Sequence, residues 1–147
     1  MSKNNKQLNF KIVTAERVVM SEDALQATIP TAEGEITVLP MHAPLVSVLV
    51  PGVIEYKNLE GKVELASVSG GFVEVLNNQV VIMADTAERA EEIDEARAED
   101  ARKKAEEAIK DIKDFDEVRF AGISSVIARE MARTKAVQKW KKLKNIR

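Results

Sequence analysis

Two different patterns of apolar and polar positions divide the 147-residue chain. From Leu8 to about Ala84 the apolar residues, many of them β-branched, fall in short runs at 8–14, 24–30, 35–39, 45–50, 53–57, 62–67, 71–76 and 79–84. Runs of this length and composition predict strands. Between them stand residues that tolerate positive φ or pre-set a turn: Ala32-Glu33-Gly34, Pro51-Gly52, Glu60-Gly61, Ser69-Gly70-Gly71 and Asn77-Asn78. The Asn77-Asn78 pair between β-branched runs predicts a two-residue hairpin, and Asn58-Leu59-Glu60-Gly61 predicts another. Many short strands with regular turns imply an antiparallel sandwich or barrel.

After Asp85 the vocabulary changes to Ala, Glu, Lys and Arg, with no Gly before Gly122 and no Pro. That composition predicts helix. Asp85 or Thr86 is placed to cap its first turn, with Glu88 favouring the positive end of the helix dipole. Ala98, Ala101, Ala105, Ala108 and Ile112 recur at steps of three and four, a narrow seam of small side chains for a partner helix. The seam breaks near residues 113–116, where Asp114 or Asp116 can cap a second helix. That helix carries apolar positions Phe120, Ile123, Ile127, Met131, Val137 and Trp140, and ends in Lys139, Lys141, Lys142, Lys144 and Arg147. The predicted fold class is α+β: an N-terminal antiparallel β-sandwich over 1–85, then a C-terminal antiparallel two-helix hairpin over 86–147.

The first helix is acidic and the second basic, which favours antiparallel pairing, although an exposed ion pair contributes only about 0.2 to 1 kcal/mol. A thin seam and screened charges predict a hairpin that is marginally stable alone. Docked and released states within a few kcal/mol of each other can be biased by a ligand or a partner surface.

Charge and composition narrow the function. With 22 Lys and Arg against 24 Asp and Glu, and aromatics at 4%, the chain lacks both the basic footprint and the stacking platforms of a nucleic-acid binder. It has no cysteine, which removes disulfides, thiolate metal sites and a cysteine nucleophile. The first ten residues show no apolar signal region, and no apolar run reaches the roughly 18 residues of a membrane helix, so membrane association is expected only through a partner. No acid–base pair, metal cluster or activated nucleophile can be assembled, and an enzyme is not expected. Ser69-Gly70-Gly71 precedes a strand, not a helix, and reads as a bulge or tight turn instead of a phosphate loop. Trp140 reads as a packing residue.

Three stretches resemble the epsilon subunit of the F-type rotary ATP synthases. Glu33-Gly34-Glu35-Ile36-Thr37-Val38-Leu39-Pro40-Met41-His42-Ala43-Pro44 is similar to that family's Gly-x-x-Gly-Ile-x-Pro-Gly-His-x-Pro loop, with Thr37 and Met41 standing where the pattern has glycine. Gly70-Gly71-Phe72-Val73-Glu74-Val75 resembles its Gly-Gly-Phe-x-Glu-Val strand, and Ala87 to Ala98 resembles the opening of its first C-terminal helix. The resemblance implies a non-catalytic rotor subunit bound to the gamma shaft and seated on the c-ring, at the cytoplasmic face of a bacterial plasma membrane. Its hairpin would alternate between a state packed on the sandwich and one extended about 40 Å into the alpha/beta catalytic hexamer, where it blocks wasteful hydrolysis.

The resemblance also implies sites. Asp94-x-x-Arg97-Ala98 is the motif that in some members binds ATP to hold the hairpin folded, with Glu88 and Ile93 beside it; an i,i+3 ion pair accounts for the same spacing. Arg97 alone is too little charge for a triphosphate; by spacing, Arg129 and Arg133, one turn apart on the second helix, would converge on it if the hairpin folds antiparallel. ATP is thus a possible regulatory ligand, and no cofactor is required. Glu33, Glu35 and His42 would face the polar loops of the c-ring. The competing expectation is a stand-alone β-sandwich and coiled-coil binding module with no nucleotide site.

Overall fold

A computed structural model describes residues 6–112 and 116–145. Its first part is nine strands: β1 Leu8–Val13, β2 Val18–Thr31, β3 Gly34–Val38, β4 Leu45–Leu49, β5 Gly52–Asn58, β6 Val63–Val68, β7 Gly71–Leu76, β8 Gln79–Ala84 and β9 Ala87–Arg89. Eight of them sit where the apolar runs predicted strands. β2 is twice as long as its run because it serves two layers. Its first half pairs with β1 and its second half with β5 and β3, with a register shift between Ala24 and Gln26. One layer therefore runs β2-β1-β8-β7-β4 and the other β3-β2-β5-β6-β9. All pairings are antiparallel except β1 with β8, which is parallel.

Alternation along each strand sends one set of side chains into the space between the layers. Leu8, Phe10 and Ile12 of β1, Ile54 and Tyr56 of β5, Val73 and Val75 of β7, and Val80 and Ile82 of β8 are buried together. Phe10 and Tyr56 stack with ring centroids 4.9 Å apart. The Tyr56 hydroxyl donates to Glu22 at 2.5 Å; burial first, then this bond to a carboxylate, pushes the phenol far above its ordinary range.

The turns follow their residues. Asn77 and Asn78 take φ of 49° and 62°, the left-handed pair of a two-residue hairpin. Asn58 closes the β5–β6 turn, its carbonyl accepting the Gly61 amide at 2.9 Å and its side chain those of Glu60 and Lys62 at 3.0 Å. Met41, at a position where the family pattern has glycine, adopts φ 70°, and its amide donates to the Asn78 side chain at 2.6 Å. Gly71 is required more strictly. At φ 112° its backbone crosses β8 so closely that a Cβ would lie 2.0 Å from the Met83 carbonyl oxygen.

The helical part corrects the expected start. Asp85 and Thr86 cap nothing: the Asp85 amide donates to Gly70, the Thr86 carbonyl accepts from Ser69, and the chain continues as β9 along the edge of β6 before one 3-10 turn at Ala90–Glu92. Ladder bonds to an open strand edge outcompete helix propensity over these residues. Helix α1, Glu95–Lys110, starts at Asp94, whose carboxylate accepts the Arg97 amide at 3.0 Å. Helix α2, Glu117–Leu143, starts at Asp116, whose carboxylate accepts the Arg119 amide at 3.1 Å. Asp114, the other expected cap, lies outside the described residues. A Lys141–Glu95 ion pair joins the end of α2 to the start of α1, so the helices are antiparallel.

Substituting Gly71→Ala is expected to destabilise the sandwich by about 3 kcal/mol, through backbone strain and the carbonyl clash. Gly122→Ala, in an open stretch of α2 where a Cβ meets nothing within 4 Å, should stabilise by about 0.5 to 1 kcal/mol; urea unfolding of both chains measures the contrast. The single tyrosine of the chain gives a second readout. The folded chain holds the Tyr56 proton and the unfolded chain releases it near pH of about 10, so stability is fully present below that pH and falls as pH rises past it. Phenolate absorbance should develop only with unfolding; ionisation near pH of about 10 in a folded chain would contradict the buried hydrogen bond.

Candidate functional site

The hairpin meets the sandwich through one stretch of one helix. On β6, Ala66 and Val68 point into the sandwich core, while Leu65 faces the other way into a second cluster with Ala90, Ile93, Ala136 and Val137, bordered by Val53, Val63 and Trp140. The last third of α2 thus covers the outer face of β5 and β6. Ala98 of α1 is buried, and Ala101, Ala105, Ala108 and Ile112 are half-buried, as the seam predicts. On α2 the expectation fails in part: Phe120 and Met131 are exposed, and Ala132 and Ala136 are buried instead. Small residues, not the large apolar ones, let α2 approach both α1 and the sheet.

Charges are distributed differently from the simple acidic-against-basic pairing. Within α1, Arg102 bonds Glu99 and Glu106, and Lys104 bonds Asp100. Two bases of α2 turn to the sandwich, Lys139 to Glu55 of β5 and Arg133 to Glu88 of β9. Among the described residues, Lys141–Glu95 is the only ion pair between the helices.

Arg133 belongs to a four-residue cluster. Its Nε donates to Glu88 at 3.0 Å and its Nη1 to Glu130 at 2.8 Å, while Arg129 Nε donates to the other Glu130 oxygen at 3.1 Å. Glu130 is 2% exposed, the most buried charged side chain described. Burying a carboxylate costs several kcal/mol unless it is bonded on both oxygens, and here it is. The cluster lines a cavity of about 190 Å³ with Ser67, Val68, Thr86 and Ala87.

Three of the expected nucleotide-site residues, Glu88 from the resemblance and Arg129 and Arg133 from their spacing, therefore meet at one place. Asp94 and Arg97 do not line that cavity. The i,i+3 ion pair offered by their spacing is not formed: Asp94 is spent on the Arg97 backbone amide, and Arg97 is exposed. Ile93 and Ala98 are buried as packing residues, one against the sheet and one in the helix seam. Glu130 was missed because Met131 beside it is the apolar residue. Steps of four and three from Ile123 lead to Ile127, Glu130, Thr134 and Val137, so the spacing itself pointed to Glu130.

Glu33 and Glu35 lie together, apart from His42. Glu33 is at the β2–β3 turn and Glu35 is the second residue of β3, both exposed. His42 lies beyond the far end of β3, next to the β7–β8 turn through Met41, and its Nδ1–H donates to the Ala43 carbonyl at 2.7 Å. The layer without the hairpin has an open apolar face. Register aligns Val48 with Phe72 and Phe72 with Met83, all pointing outward, with Val46 beside them. They are 49%, 52%, 43% and 68% exposed respectively, a contiguous patch of the kind that marks an interface.

Residues 7–90 match the family model described as ATP synthase, Delta/Epsilon chain, beta-sandwich domain. The ATP synthase epsilon chain of Herpetosiphon aurantiacus is 49% identical over 118 residues, covering 80% of this chain and 85% of that protein. That of Moorella thermoacetica is 42% identical over 129 residues, covering 88% and 95%. Among solved structures, a chain of the Euglena gracilis mitochondrial ATP synthase, OSCP/F1/c-ring in rotational state 1, superposes with a TM-score of 0.77 at 27% identity, covering 90% of this chain and 82% of that one. A chain of the Tetrahymena thermophila central stalk and c-ring has the same fold, with a TM-score of 0.60 at 21% identity.

Removing Arg133 leaves the Glu130 carboxylate bonded to Arg129 alone and Glu88 unpaired. Arg133→Ala is expected to weaken docking of the hairpin by about 2 to 4 kcal/mol. The single tryptophan, Trp140, packs against the docking cluster, so its emission should move toward that of a water-exposed indole. Unchanged emission in a folded variant would mean that the cluster does not hold the hairpin.

Proposed function

The chain belongs to the delta/epsilon family of the ATP synthases, as an epsilon chain of that machine's membrane-associated central stalk, and from that membership we propose a non-catalytic rotor and regulatory role. The sandwich is the fixed part: it binds the gamma shaft, rests on the c-ring, and turns with both. The hairpin is the movable part, which on release extends toward the alpha/beta hexamer and restrains ATP hydrolysis. The assembly sits at the cytoplasmic face of a bacterial plasma membrane, and attachment to the membrane runs through the c-ring.

The observation that carries this reading is the unequal treatment of the two sandwich faces. The outer face of β5 and β6 is covered by the chain's own helix, whereas Val46, Val48, Phe72 and Met83 on β4, β7 and β8 are left 43–68% exposed by the described residues. A sheet that places Val on both sides of a strand is built to be buried on both sides. A partner shaft supplies the missing layer. For the c-ring, the exposed Glu33 and Glu35 form one candidate contact, and His42 belongs to the opposite end of the sandwich.

The movable hairpin is supported by the limited contact of α2. Its 27 residues span about 40 Å, yet the sheet contacts described come from residues 133–140. A nucleotide held at Glu88, Arg129 and Arg133 is a second reading, favoured by their convergence on one cavity. Against it stand the volume of about 190 Å³, below the roughly 300 Å³ of the smallest usual ligand pockets, and a cluster charge of two cations against two anions.

Phe72→Glu should abolish stable association with gamma, weakening it at least about 30-fold, because a charge would be buried at the centre of an apolar interface. Co-purification of the folded variant with gamma measures it; undiminished recovery would remove the assigned face. For the hairpin, adding the Arg133→Ala chain to the alpha/beta/gamma hexamer should lower ATP hydrolysis further than the native chain does.

A further inference from the structure

The arginine pair that the sequence offers to a triphosphate is already occupied by a carboxylate of the same helix. Both oxygens of Glu130 are used, one by Arg129 and one by Arg133, and Arg133 is shared with Glu88 across the helix–sheet boundary. We propose that Glu130 is the specificity-determining residue of this site: it acts as an internal anion that holds the hairpin docked without nucleotide and excludes polyphosphate ligands from Arg129 and Arg133.

Three observations combine here. Glu130 is almost completely buried, so its carboxylate is not a solvated surface group turned toward the arginines by chance. Second, the four charges sum to zero, leaving no surplus positive charge to attract a polyphosphate once the hairpin is docked. Third, Glu130 stands one and three residues from its partners, so it competes as an intramolecular ligand. A tethered group of this kind has an effective concentration that a free ligand must exceed to displace it.

The alternative reading of the cluster is a salt bridge that only stabilises packing. The two roles diverge once Glu130 loses its charge while keeping its shape. In Glu130→Gln one oxygen is replaced by an NH2 group, which faces an arginine donor and cannot accept from it. The cluster then holds two guanidiniums against a single carboxylate, that of Glu88, which bonds Arg133 alone. A packing-only role predicts a looser hairpin and nothing else. An internal-anion role predicts that the site also becomes a receptor for an external anion.

The proposal rests on the mobile-hairpin reading, but its test uses the full chain alone, so it can fail while association with the stalk stands, and the reverse. Titration calorimetry reads binding of inorganic tripolyphosphate, with ATP in a parallel titration, while Trp140 emission reads docking. The native chain is expected to show docked emission in buffer and no heat of binding through millimolar concentrations of either. Glu130→Gln should show a larger released fraction in buffer and return to docked emission with tripolyphosphate, binding it at least about tenfold more tightly than the native chain, equivalent to 1.4 kcal/mol. ATP and tripolyphosphate acting alike on the variant supports recognition through phosphate. A native chain that responds to either ligand at the affinity of the variant overturns the proposal, and that half of the experiment needs no substitution. A folded Glu130→Gln chain that stays docked, or that releases its hairpin and ignores tripolyphosphate, overturns it as well.

Discussion

Strand β6 is buried on both faces, and the behaviour of the whole molecule depends on the difference between those two burials. Inward, Ala66 and Val68 join a core that includes side chains from seven other strands. Outward, Leu65 and Val63 meet a cluster supplied by Ala90, Ile93, Ala136, Val137 and Trp140. The first contact is distributed over the whole sandwich and cannot be undone without unfolding it. The second is local, contains two alanines and one partly buried indole, and ends where α2 runs past the sheet. At roughly 25 cal/mol per Å² of apolar area, a contact of that composition is worth far less than the core. One strand therefore belongs to a permanent layer and a dismissible one.

The legibility of the chain follows the same division. Strand positions were readable because an alternating pattern and a turn residue are local facts: Asn77-Asn78 needs only itself and its flanking runs to specify a hairpin. The seam of α1 was readable for the same reason. β9 was not. Ala87-Glu88-Arg89 has the composition of a helix start, and only the open edge of β6, twenty residues earlier in sequence, makes a strand the better use of its amide groups. The parallel pairing of β1 with β8 is likewise set by how the layers close, which no local run encodes.

Within the candidate site the residues were legible and their relations were not. Glu88, singled out by the resemblance, and Arg129 and Arg133, singled out by their spacing, do meet, but in one ion-pair cluster closed by Glu130. Asp94 and Arg97 carry a motif spacing that two uses fit, and the structure adds a third, an N-cap, because the first turn of α1 has free amides to satisfy. Glu130 occupies a seam position by spacing and a surface position by chemistry. A reading by residue type resolves such a conflict in favour of Met131, whereas the fold resolves it in favour of spacing, since two arginines nearby make the carboxylate acceptable inside.

That conflict bears on why the docked contact contains charges at all. Replacing a buried ion cluster with apolar side chains of similar volume is often neutral or stabilising. A leucine at residue 130 with apolar neighbours would thus give a hairpin at least as firmly held. It would also give α2 an apolar stripe that water opposes exposing, so release would carry a large hydrophobic cost. Carboxylates and guanidiniums behave differently on release: each regains its hydration, which offsets much of the lost pairing. A contact of this kind can be firm when closed and inexpensive to open. For a helix proposed to leave the sheet as a whole, with its first half already free of it, that balance is worth more than additional stability.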